Sequence, residues 1–178
     1  MADVELPVEA GGGGDRPETW LTRITGYVAI FGGLLALAVA LLATTSVLGR
    51  WLFSSPIEGD FEFVKMATAV AVFAYLPYTQ ARRGNIMVDT FTMGLSDLTR
   101  RRMDAFWDLV YAAFMAALAF AMFIGTLDSI KSGETTMQRQ ILLWPSIGLS
   151  MLLCVLLAVT ALFTAHQLLK SNRAGDQI

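Results

Sequence analysis

Few side chains in this 178-residue chain have types and spacings that could do chemistry. His166 is the only histidine and Cys154 the only cysteine, which excludes paired axial haem ligands, dithiol redox chemistry and an intrachain disulfide. Four consecutive glycines, 11–14, lack the Lys-Ser/Thr that a phosphate-binding loop requires after them. No carboxylates pair for acid–base work, no nucleophile stands near a base, and no ligand cluster is spaced for a metal. The expected catalytic, cofactor-binding and metal residues are therefore none, and the chain reads as a non-enzyme. With a net charge of -2 it carries no electrostatic signature for nucleic acid either.

What remains is charge at the edges of apolar runs. Arg50, Glu58, Asp60, Glu62 and Lys65 cluster around one such edge, and Glu134 lies in another break. Glu62 and Lys65, three residues apart, can meet on one helix face. Arg82, Arg83 and Asp89 bracket Gly84-Asn85, and Asp104 and Asp108 stand at helical spacing from Arg100 and Arg101. Charges at a membrane boundary cost little when they snorkel to water, so each group reads either as ordinary interfacial pairing or as a docking surface for another protein.

The elements that position these charges follow from composition. The chain is 55% hydrophobic and 16% charged, against roughly 25% charged in a soluble domain. A water-soluble domain of this size could not hide so much apolar surface. About 20 apolar residues cross the hydrocarbon core, and four stretches qualify: about 24–48, 63–79, 105–127 and 144–169. Pro145 suits the first turn of the last span, where its missing N–H has no partner to lose. Pro77 is expected to bend or end the second. All four tryptophans, Trp20, Trp51, Trp107 and Trp144, fall at span ends, where an indole ring finds both apolar and polar surroundings.

Orientation follows from Lys and Arg. Nine flank one side (Arg16, Arg23, Arg82, Arg83, Arg100, Arg101, Arg102, Lys170, Arg173) and four the other (Arg50, Lys65, Lys131, Arg139). The positive-inside rule then puts both termini and the middle loop in the cytoplasm. In that loop the apolar residues of 91–103 interleave with polar and basic ones, the pattern of a helix lying in the headgroup layer. The expected fold is all-α and integral to the membrane: four transmembrane helices plus a cytoplasmic amphipathic in-plane helix, N-in and C-in. The expected domains are a flexible tail over 1–19, a membrane domain over 20–170 and a short tail over 171–178.

Helices associate in lipid through close packing at small residues. Gly32, Ala36, Ala40 and Thr44 recur every four residues in the first span, and Ala113, Ala117, Ala121 and Gly125 do so in the third. Each line reads as a packing face, within the chain or toward a partner. No span carries the midplane polar groups that a self-sufficient carrier of a polar solute needs.

The order of these features resembles the small, DctQ-like membrane subunit of tripartite ATP-independent periplasmic (TRAP) transporters. In that family an Arg-aromatic-x-Phe stretch closes the first span, acids follow, and the second span ends in Arg-Arg-Gly then His-Ile-x-Val-Asp. Here these are Arg50-Trp51-Leu52-Phe53, the acids through Glu62, and Arg82-Arg83-Gly84-Asn85-Ile86-Met87-Val88-Asp89. Asn85 replaces the usual histidine, and no tryptophan precedes the acids. The resemblance implies a bacterial inner-membrane protein that scaffolds a large membrane permease subunit. It further implies help in docking a periplasmic substrate-binding protein during sodium-coupled uptake of an organic acid. The alternative is a stand-alone oligomeric four-helix membrane protein, a small exporter or a membrane organiser.

Overall fold

The computed structural model describes residues 19–55, 57–82 and 97–175. Within them the chain forms four helices: α1 (Trp20–Phe53), α2 (Asp60–Ala81), α3 (Asp97–Ser132) and α4 (Trp144–Gly175). Each contains a stretch long and apolar enough to cross a membrane. Even α2, the shortest at 22 residues, reaches about 33 Å at 1.5 Å per residue, enough for a core about 30 Å thick.

The four expected spans lie inside the four helices, which run several residues further. Trp20 to Arg23 join α1 ahead of the span, and α4 continues to Gly175, past the end expected at 169. Pro77 does not end α2: it is buried, and the helix runs on to Ala81. Of the amphipathic stretch 91–103, residues 97–103 are the first turns of α3 and continuous with it, and 91–96 lie outside the described residues. The expected N-terminal tail also lies outside them, except for Thr19.

The helices pack side by side in the order α1, α2, α4, α3, an open row rather than a closed bundle. Helix α4 is in the middle with α2 on one flank and α3 on the other, and nearly half of its apolar stretch is buried, against a small fraction of α1. Val70 and Ala74 of α2 meet Leu153 of α4, with Val28 and Leu35 of α1 packed against them.

The seams follow a regular step. Along α1, Leu21, Thr25, Val28, Gly32, Leu35, Val39, Leu42 and Ser46 are buried or half-buried at alternating steps of four and three. Along α3, Ala105, Asp108, Ala112, Met115, Ala119, Met122 and Thr126 do the same. This 3.5-residue period keeps one stripe facing a neighbour over many turns. At Gly32 the approach is closest: a Cβ there would lie 2.8 Å from the Ala74 Cβ and 3.3 Å from the Ala71 carbonyl oxygen.

Buried hydroxyls need partners where no water reaches. Thr25, Thr126, Thr160 and Thr164 donate to the carbonyl four residues earlier in their own helix. Cys154, fully buried, directs its thiol at the Met115 carbonyl of α3, 3.4 Å away. His166 is exposed.

Both short connections, 54–59 and 133–143, meet at one end of the row, here called the loop end. The opposite end gathers the start of α1 and the end of α2, where Tyr78 lies against Gly26, and the Gln80 amide donates to Asp108 of α3 at 3.0 Å.

Candidate docking site at the loop end

The loop end is built on Glu62. Its position in the first turn of α2 points its side chain toward the α3–α4 connection, where it is almost fully buried. One carboxylate oxygen accepts the Gln138 N–H at 2.7 Å. The other accepts the Thr136 hydroxyl at 2.7 Å and the Arg139 N–H at 3.0 Å. Three converging donors suit an ionised carboxylate, which only accepts. Glu62 thus ties two loops more than 70 residues apart in sequence.

The connection it grips is a small hairpin. Thr136 N–H donates to Ile141 O at 2.9 Å, Leu143 N–H donates to Glu134 O at 3.2 Å, and Thr135 bridges Leu142. The Thr136 hydroxyl also accepts the Ile141 N–H at 3.0 Å. Arg139 then reaches back across: its Nε donates to the Glu58 carbonyl at 3.1 Å and its guanidinium pairs with the Glu58 carboxylate at 3.5 Å. Gly59 makes this crossing possible. Its φ of +77° is left-handed, and a Cβ there would come within 2.5 Å of the Arg139 Cγ.

A second tie closes the α1–α2 loop. The buried Ser46 hydroxyl donates to the Asp60 carboxylate and accepts the Ile57 N–H at 3.3 Å. The other Asp60 oxygen accepts the Phe61 N–H at 2.7 Å. Between the two loops opens a cavity of about 390 Å³ lined by Arg50, Ile57, Glu58, Gly59, Asp60, Gln138 and Arg139.

The structure sorts the candidate residues. Arg50, Glu58 and Asp60 share the cavity wall. Glu62 turns into the hairpin instead of meeting Lys65, which is exposed. Glu134 is exposed at the hairpin's start. Arg82, at the opposite end, lies over the Tyr78 ring at 5.6 Å. Arg83 and Asp89 lie outside the described residues, and Arg100 is helical with a side chain that also lies outside them. Gly32 is buried, Ala36 half-buried and Ala40 exposed, while Ala113, Ala117 and Ala121 are all exposed along α3.

Sequence reasoning missed Ser46, Thr136 and Gln138, and took Arg139 only as a topology charge. The polar run Gly133 to Gln140 between two apolar spans was the available signal for a turn, but nothing in it names Glu62 as its partner. Among the described residues, no three His, Cys, Asp or Glu side chains gather as a metal site would require.

Four helices of membrane-crossing length, each with a long apolar stretch of few or no charges, define a multi-pass α-helical membrane protein. Residues 39–173 match the family described as Tripartite ATP-independent periplasmic transporters, DctQ component. The match covers most of the chain, which therefore belongs to that family: it is the DctQ-type membrane component of a TRAP transporter and not an enzyme. The resemblance read from Arg50-Trp51-Leu52-Phe53 and Arg82 to Asp89 is borne out. No curated protein and no solved structure matches the chain.

Proposed function

We propose that this chain is the supporting subunit of a sodium-coupled organic-acid uptake system in a bacterial inner membrane. It carries no substrate itself. It stands beside a large membrane subunit that does, and widens the surface on which a periplasmic substrate-binding protein lands. The observation that carries this reading is the open row: in a chain of the TRAP family, no described helix covers the outer flanks of α1 and α3.

In this reading the small-residue line Ala113, Ala117 and Ala121 faces the large subunit, since small side chains let another helix approach closely. The positive-inside rule puts both termini in the cytoplasm and the loop end in the periplasm. There the exposed Glu58 and Glu134, with the fully exposed Met137 of the hairpin, meet the binding protein, with Arg50 and Asp60 behind them and Glu62 holding the hairpin in place. On the cytoplasmic side Arg82, Arg83, Asp89 and Arg100 form a polar collar, and the amphipathic run 91–103 meets the headgroups.

Purification of the tagged chain from native membranes in mild detergent, with mass spectrometry of what accompanies it, tests the proposal. A large polytopic subunit at stoichiometric yield supports it. A homo-oligomer with no larger membrane protein refutes it and favours the stand-alone exporter or organiser.

A further inference from the structure

We propose that the loop-end cavity binds the headgroup of a phospholipid carrying both a phosphate and a primary ammonium, the phosphoethanolamine class. The inference does not depend on what the subunit supports or on which side of the membrane the loop end faces. It rests on depth, charge and one arginine whose guanidinium donors make no hydrogen bond among the described residues.

Depth comes first. Arg50 follows the uncharged stretch of α1 that ends at Leu48, and Asp60 opens α2, so the cavity straddles the boundary where headgroups lie. Beside Arg50 and Asp60 in sequence, Trp51 and Phe61 are each more than 70% exposed, and so is Phe53 at the end of α1, as apolar rings are when they meet the upper part of acyl chains.

Charge comes second. The wall carries Arg50 and Arg139 opposed by Glu58 and Asp60, a balanced set that suits a ligand bearing both signs better than a simple anion. Arg139 is engaged with Glu58, and Asp60 with Ser46 and Phe61. Among the described residues the Arg50 guanidinium makes no hydrogen bond or close ion pair, and its charge acts on Asp60 only at longer range. Its planar fork of donors matches phosphate oxygens. Each carboxylate keeps lone pairs beyond those already used, and a primary ammonium, with three N–H donors, can fill them. A trimethylated ammonium has no N–H to offer.

The test is lipid retention by the purified full chain, read by native mass spectrometry after addition of phosphatidylethanolamine or phosphatidylcholine with identical acyl chains. The wild type should retain the ethanolamine lipid several-fold over the choline lipid. Arg50→Ala should lower ethanolamine-lipid retention roughly tenfold through loss of the phosphate contact, Glu58→Gln should erase the preference between the two lipids, and Lys131→Ala, an exposed charge away from the cavity, should change nothing. Equal retention of both lipids by the wild type, or full retention by Arg50→Ala, overturns the proposal. Displacement of the lipid by soluble phosphoethanolamine at equal concentration assigns the cavity to a free solute and overturns the membrane source. If Arg50→Ala keeps the lipid but loses association with the substrate-binding protein, the cavity is a protein contact and the proposal fails.

Discussion

The inner stripe of α1 and the outer face of α3 carry the same kind of small side chain, yet only one of them is filled from within the chain. At Gly32 the backbone of α2 comes so close that a Cβ would overlap Ala74. At Ala113, Ala117 and Ala121 none of the described residues covers the helix, while Ala105, Ala112 and Ala119 on the same helix are buried on the side that packs against α4. A step of four residues advances about 40° beyond each full turn, so a line of four-spaced small residues drifts off a seam that repeats every 3.5. Gly32 lies where the two lines cross, and Ala40 has already rotated into the open. Spacing therefore finds a smooth surface but does not say who lies against it.

Substitution separates the two faces. Gly32→Leu should destabilise the isolated chain by about 1–3 kcal/mol through overpacking against Ala71 and Ala74, whereas Ala117→Leu should stay within about 0.5 kcal/mol; thermal unfolding in detergent compares them directly. A loss at Ala117 as large as that at Gly32 would mean that α3 has a neighbour which the row does not contain.

The same logic applies along the loop end. Glu62→Ala strands the N–H groups of Gln138 and Arg139 and the Thr136 hydroxyl, so it should lower the melting temperature by several degrees and speed amide exchange at Gln138 and Arg139. Gly59→Ala should cost about 1 kcal/mol for its left-handed backbone and push Arg139 off Glu58. Its effect should shrink when Arg139 is already alanine, because part of the penalty is that contact. Arg139→Ala alone should cost less than about 1 kcal/mol and depend on salt, as an exposed pair does.

Much of this architecture was legible before any coordinates. Apolar length, the terminal tryptophans and Pro145 found the four apolar helices, because a bilayer fixes the length a span must have, but not their ends: α3 starts eight residues before the expected 105 and α4 runs to Gly175. Of the two outcomes expected at Pro77, an end to the helix does not occur: a proline removes one hydrogen bond, and α2 runs past the buried ring to Ala81. The row order and the grip of Glu62 on 136–139 were not legible, since both depend on which loops meet in space, and period and composition are silent on that. Glu62 shows the cost of this. In sequence it is one more acid beside Glu58 and Asp60; in the structure it is the buried acid that joins the two loops.

The central claim is that the uncovered face of α3 is where this subunit joins a larger one. The direct test replaces Ala113, Ala117 and Ala121 together by leucine in the tagged chain and measures co-purification from native membranes beside wild type. The account expects a chain that expresses and melts as wild type does but no longer brings down a large membrane subunit. Undiminished co-purification would contradict it.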